Sequence, residues 1–528
     1  MTEHLQTDTL IIGAGSAGCV LANRLSQDPT HQVTMVEAGG TDRWHWIHIP
    51  VGYLYTMGNP KTDWCYQTEP QTGLNGRQLN YPRGRVLGGS SSINGMIYMR
   101  GQAADYEGWG HPDWCWDAVL PFYKRSEHYH RGADDAHGGD GELRVESQRL
   151  KWPILEAFKT VCQDAGFADQ PDFNRGDNAG VGYFEVNQKR GLRWSSARAF
   201  YHPIRHRPNL KVHLHTLTER LLFADGRCIG AELSRDGRRI QVSAGRVILA
   251  AGAIGSPALL ERSGVGDSAH LKALEIPVVH HLAGVGENLQ DHLQVRLQYR
   301  LAQGDTLNQR ANSLWGRAKM ALQYAYNQSG PLAMAPSQLG AFFKSSDAVD
   351  RADLEFHIQP MSADKLGTTL HPFPGMTASV CHLRPFSRGH THISGTRATD
   401  APRIDPNYLS DPEDQRVVVR AMRKTRELMA HEGLHPFAPT EHKPGPSIQS
   451  DAELLQAAGE IATTIFHPVG TAKMGSSDDP DAVVSHRLKG HGLDNLYIAD
   501  ASVMPNITSG NTHAPVVMIA ERLAEWLT

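Results

Sequence analysis

The sequence lacks any run of about 18 apolar residues, which excludes a membrane-spanning helix of ordinary length. Cysteine is scarce: Cys19, Cys65, Cys115, Cys162, Cys228 and Cys381 are scattered singly, and none forms a C-x-x-C. So few in 528 residues give no disulfide framework, and a reducing, cytoplasmic setting is expected. There is no excess of positive charge. With 52 Lys and Arg against 56 Asp and Glu the net charge is −4, so nothing favours nucleic acid. Internal repeats and low-complexity segments are absent too. Met1–Asp8 is polar and runs straight into an apolar segment, so no signal peptide is expected. Peripheral membrane contact stays compatible with all of this. The length suffices for two or more domains with large cores.

The rest of the chain is organised around residues 9–38. Thr9-Leu10-Ile11-Ile12 reads as a buried parallel strand. It leads into Gly13-Ala14-Gly15-Ser16-Ala17-Gly18, a full G-x-G-x-x-G. Val20, Leu21 and Leu25 follow at helical spacing, and Gln32–Val36 reads as a second strand with Glu37 at its end. In such a unit Gly13 allows the tight turn, Gly15 admits a pyrophosphate, and Gly18 lets the helix pack on the strand. The helix N-terminus faces the phosphates, and Glu37 accepts from ribose hydroxyls. The pattern predicts dinucleotide binding.

A second glycine-rich stretch is Arg83-Gly84-Arg85-Val86-Leu87-Gly88-Gly89-Ser90-Ser91-Ser92-Ile93-Asn94-Gly95. It concentrates backbone N–H groups and hydroxyls, which suits a phosphate or a flavin edge. Arg246–Ala253 reads as another buried strand ending in small residues. Ser256-Pro257 reads as the start of a helix, with proline where no N–H is needed. Before it, Leu210–Leu214, Leu221–Phe223, Arg227–Leu233 and Arg239–Val242 read as a meander covering the first domain. Residues 151–166 are helical by spacing, and 172–193 read as polar loop. Three His-x-His pairs, at 128/130, 213/215 and 390/392, have no carboxylate or third imidazole nearby in sequence, so no metal site is expected.

These motifs, with G-x-x-x-S-P-x-x-L-x-x-S-G-V-G at 252–266 and H-P-x-G-T at 467–471, resemble the glucose–methanol–choline family of FAD oxidoreductases. The nearest likeness is to its bacterial choline-dehydrogenase-like and alcohol-dehydrogenase-like branches. The resemblance implies an α/β fold: a Rossmann-like FAD-binding domain from residues 1–155, 190–293 and 460–528. An inserted antiparallel-sheet substrate domain would comprise 156–189 and 294–459. It carries cofactor contacts onto Gly13, Gly15, Ser16, Gly18, Glu37, Ala38, Trp64, Arg85, Gly88, Gly89, Ser92, Asn94 and Gly95. Further contacts fall on Thr218 (through its backbone to adenine), Ala251, Gly252, Asp500, Ala501 and Thr512. Substrate contacts fall on Phe466, His357, Gln338 and Tyr66.

Oxidising an alcohol requires loss of the hydroxyl proton and of a hydride. A neutral His467 suits the proton, and the Asn511 amide suits the oxygen that becomes an alkoxide. The resemblance gives the pair these roles beside flavin N5, with a primary alcohol as substrate and a quinone-like carrier or oxygen as acceptor. An oxygen-using alcohol oxidase, a choline dehydrogenase and a non-redox FAD lyase are the alternatives. Choline-specific relatives carry an acid near position 338, where this chain has Gln338. Relatives with covalent flavin use a histidine at the position of Ile93, so non-covalent FAD is expected.

Overall fold

The apolar run at Thr9–Ile12 is the buried end of a longer strand, Glu3–Ile12, in a computed structural model that describes residues 3–364 and 369–528. Gly13 turns the chain at a φ of +104°, and the helix Ser16–Leu25 follows. A Cβ on Gly18 would stand 1.9 Å from the Gly13 carbonyl oxygen, so only glycine lets this helix settle on the strand. Val33–Val36 pairs parallel with Thr9–Ile12, and Leu210–His213 pairs parallel with Val33–Val36. On the other side Arg238–Leu249 runs parallel to the whole first strand, from Glu3↔Ile240 to Ile12↔Leu249. Leu496–Ile498 completes the parallel part against Val247–Leu249.

The segments read as strands at Arg239–Val242 and Arg246–Ala253 are one twelve-residue strand, Arg238–Leu249, and Gly252 and Ala253 already belong to the following helix. The strand's far end outruns the helix-covered layer and pairs antiparallel with Arg227–Arg235, which pairs with Leu217–Ala224. The meander therefore extends the sheet instead of covering it. The helix after this strand spans Gly252–Arg262, so Pro257 lies inside it and not at its start. The missing N–H leaves the Ala253 carbonyl without its helical donor. The Thr471 hydroxyl donates to that carbonyl at 2.5 Å, tying the H-P-x-G-T segment to the helix.

The second sheet is antiparallel, in the order Thr440–Lys443, Leu293–Arg300, Gly375–His382, Leu354–Gln359, Leu339–Phe343, Gly180–Tyr183. Ala462–Thr464 pairs with Leu293–Val295, so this sheet reaches past the expected boundary at 460. Gly180–Tyr183 is an edge strand within the stretch read as loop, because its Gly-Val-Gly-Tyr sequence hides the usual apolar alternation. Leu297, Phe356, Ile358 and Val380 fill the back face, against Ile154, Leu155 and Phe158 of the helix Pro153–Asp164 and Val417, Val418 and Met422 of Pro412–Met429. Strand alternation sends Gln294, Arg296, Gln298, His357 and Gln359 to the front face, where they wall a cavity.

Candidate active site

The cavity has a volume of about 1020 Å³ and reaches from the glycine turn after the first strand to the front of the second sheet. Small-molecule sites usually span roughly 300–1,000 Å³, so this one has room for a large ligand. Gly13, Gly15, Ser16, Glu37 and Ala38 line one end, with Thr218, Ala251, Gly252, Asp500 and Ala501. Glu37 accepts from the Ala14 N–H at 3.0 Å and the Gly39 N–H at 2.8 Å. Burial outweighs these bonds and pushes its carboxyl up to about 7. Asp500 accepts from the Gly252 N–H at 2.9 Å and the Ser256 hydroxyl at 2.6 Å, so it fastens the helix start against the last strand.

The second glycine stretch meets the first through Gly88, whose N–H donates to the Ala14 carbonyl at 2.8 Å. Gly89, Asn94 and Gly95 line the cavity, as do Trp64, Tyr66 and Thr512. Five expected contacts do not line it. Gly18 and Gly88 serve packing, and Ser92 donates to the Leu87 carbonyl at 2.7 Å. The Arg85 guanidinium lies 4.8 Å over the Trp64 ring. Gln338 is fully buried, and both its amide atoms lack a partner among the described residues.

At the other end stand Phe466, His467, Asn511 and His357. Asn511 Nδ2 is 3.0 Å from His467 Nε2, and His467 Nδ1 is 3.0 Å from His292 Nδ1. His292 Nε2 is 2.9 Å from the Leu383 carbonyl. A carbonyl only accepts, so His292 Nε2 carries its hydrogen and its Nδ1 accepts. His467 then donates through Nδ1, and its Nε2 lone pair faces the Asn511 amide and the cavity. Burial holds His292 down to about 4 and His467 well below the ordinary imidazole range, with the charge of Arg83 adding to the latter. Both rings are neutral. Asn511 Oδ1 is buried without a partner among the described residues.

Asp291 anchors this end. One carboxylate oxygen accepts from the backbone N–H of His467 at 2.7 Å and of His292 at 2.9 Å. The other accepts from the hydroxyls of Tyr81, Tyr408 and Thr464 at 2.9, 2.5 and 2.5 Å. The polar turn 284–292 carries no motif that points to Asp291 or His292. The Asp-His pair in that turn was the only local signal. Behind His357, Glu355 Oε1 stands 3.3 Å from its Nε2. Burial pushes Glu355 up to about 8 and His357 down to about 3, so a protonated carboxyl faces a neutral ring.

The His390/His392 pair gains carboxylates that the sequence hides. His392 meets Glu261 at 2.6 Å and Glu287 at 3.0 Å, one on each ring nitrogen. Burial opposes a charge there, but these two bonds outweigh it and raise the ring to about 9. His392 is thus an imidazolium clamp between the helix Gly252–Arg262 and the 284–292 turn.

Two family models, both described as GMC oxidoreductase, match residues 7–294 and 385–520. The chain is 41% identical over 526 residues to an alcohol dehydrogenase [acceptor] of Pseudomonas putida, covering 98% of this chain and 95% of that one. It is 40% identical over 527 residues to a mitochondrial choline dehydrogenase of Mus musculus, covering 98% and 88%. Among solved structures, pyridoxine 4-oxidase from Mesorbium loti superposes with a TM-score of 0.90 at 31% identity, covering 98% of this chain and 99% of that one. With both models matched across most of its length, and with its two sheets closing on one cavity, the chain belongs to the GMC oxidoreductase family.

Proposed function

We propose that this protein oxidises a primary alcohol to an aldehyde, with FAD as resident cofactor and a non-NAD carrier as electron acceptor. The carrying observation is the neutral His467 Nε2 lone pair beside the Asn511 amide in the cavity wall. That lone pair takes the hydroxyl proton. The Asn511 N–H turns to the alcohol oxygen as negative charge builds on it. Proton uptake makes His467 an imidazolium, and Nδ1–H already has His292 as acceptor, so that side of the ring need not rearrange.

FAD supplies, when bound, the ring that takes the hydride. The cavity fits it: open over the glycine turn at one end, and at the other it meets the unpartnered Asn511 Oδ1. The N-terminus of Ser16–Leu25 would face the pyrophosphate, Glu37 the ribose and the Thr218 backbone the adenine. In this reading 1–155, 190–293 and 460–528 bind the cofactor, 156–189 and 294–459 the substrate, with Ala462–Thr464 lent to the second sheet. The acceptor follows the Pseudomonas putida relative, whose name specifies an acceptor.

The test is anaerobic mixing of the yellow enzyme with a panel of primary alcohols. At least one should bleach the flavin and yield its aldehyde. Flavin that stays oxidised with every alcohol overturns the reading and favours a lyase.

A further inference from the structure

The helix Leu314–Asn327 presents its apolar side outward. Leu314 is 83%, Trp315 79%, Leu322 69% and Tyr326 92% exposed, and Met320 is its one buried residue. At helical spacing Leu314, Trp315, Leu322 and Tyr326 share one side with the exposed Ala318 and Ala325. Arg317 and Lys319, both exposed, border this stripe on its two sides. The helix is firmly held. The Tyr324 hydroxyl donates to the Gly191 carbonyl at 3.0 Å, and Arg149 donates to the carbonyls of Asn327 and Gln328 at 3.1 and 3.0 Å. Its apolar side is therefore a fixed surface and not a frayed end.

Charge singles the helix out. The whole chain carries −4, yet residues 306–346 contain no aspartate or glutamate. An acidic partner meets no like charge from this segment. A second copy of the chain fits poorly: a two-fold pairing of the stripe would bring Arg317 and Lys319 of both copies together with no acid from the helix between them. A broad apolar stripe with tryptophan and leucine, edged by arginine and lysine, matches a helix lying in the plane of a lipid interface.

We propose that Leu314–Asn327 seats the protein on an anionic phospholipid surface, with Leu314, Trp315, Leu322 and Tyr326 entering the interface and Arg317 and Lys319 meeting lipid phosphates. This stands apart from the oxidation of alcohols, and its test does not read activity. Holoenzyme is floated with vesicles of phosphatidylcholine alone, or of phosphatidylcholine and phosphatidylglycerol in equal parts. It should rise with the mixed vesicles, rise less with phosphatidylcholine, and lose binding as salt increases. Arg317→Gln and Lys319→Gln should each weaken partition about fivefold. Trp315→Ser with Leu322→Ser should abolish it while the yellow colour and the melting profile stay as in the parent. Holoenzyme that remains unfloated with both vesicles overturns the proposal. So does a parent dimer in sedimentation equilibrium that Trp315→Ser splits, since the stripe would then belong to a second copy.

Discussion

His467 Nδ1 lies 3.0 Å from His292 Nδ1, so the ring of the proposed base is steadied by a second neutral imidazole, while the Asp291 carboxylate holds only its backbone N–H. A carboxylate at Nδ1 would raise the basicity of His467; an imidazole leaves it low. His467→Ala should keep its FAD and lose on the order of 10²-fold or more in the rate of flavin reduction. Asn511→Ala should also slow reduction with the fold intact. His292→Gln still offers an acceptor to Nδ1–H and should keep most of the rate. His292→Leu strands that donor and should lose about tenfold, near the worth of one hydrogen bond. Stopped-flow reduction of each variant measures this. Parental rates in both His467→Ala and Asn511→Ala would show the pair is not catalytic.

The same neutrality sets a pH dependence. An ordinary imidazole gains its proton near 6.5, and burial holds His467 well below that. The base is therefore still unprotonated at 6.5, and flavin reduction should stay level as pH falls through that value. Its decline belongs further into acid. A midpoint at 6.5 in the single-turnover rate would mean that burial does not hold His467 below the ordinary imidazole range.

How far the sequence revealed this arrangement follows from the reach of each signal. The unit from Thr9 to Glu37 is local, and its strands, helix and terminal acid appear where spacing put them. His467 and Asn511 came through motif likeness, and they meet at 3.0 Å. Long-range partners were illegible. His292 lies 175 residues from His467, and Glu261 lies 131 from His392. Pro257 misled because a proline inside a helix needs outside help, supplied by Thr471, 214 positions on (471 − 257). The strand Arg238–Leu249 read as two because its solvent-alternating half and its buried half follow different patterns.

Glu37 gives a prediction on cofactor retention and one on stability. Glu37→Ala removes the proposed ribose acceptor and the bridge between Ala14 and Gly39, so protein leaving gel filtration should be pale. Flavin content equal to the parent would misplace the adenosine. In stripped protein the folded carboxyl titrates at about 7 against 4.5 unfolded. Between those values the folded chain keeps a proton that the unfolded chain releases. Stability should therefore fall as pH rises through the window. Glu37→Gln has no such proton, and its melting temperature should depend less on pH there.

Attachment of the flavin can be read from Ile93. Its side chain is 2% exposed and packs with Ile47 and Val86. It has no nucleophilic atom to bond a flavin ring. Acid precipitation should leave a white pellet under a yellow supernatant. A pellet that stays yellow after washing would place the link on another residue.

Substrate charge is the last prediction, and it rests on what surrounds the proposed base. A trimethylammonium group needs a carboxylate or an open aromatic face. Gln338 has no charge and does not reach the cavity wall. Trp64 and Tyr66 stack with ring centroids 5.7 Å apart, but the Arg85 guanidinium already lies over Trp64. Glu355, beside His357, keeps its proton up to about 8 and gives a cation no counter-charge at neutral pH. Arg83, whose guanidinium donates to the Phe466 carbonyl at 2.7 Å, sets a positive charge beside the proposed base. Neutral primary alcohols should therefore show a higher kcat/KM than choline. Raising the pH past about 8 ionises Glu355 and should narrow that gap, whereas Glu355→Gln should keep it constant. A choline kcat/KM above that of every neutral alcohol at neutral pH would place an ionised acid in the pocket and reverse the assignment.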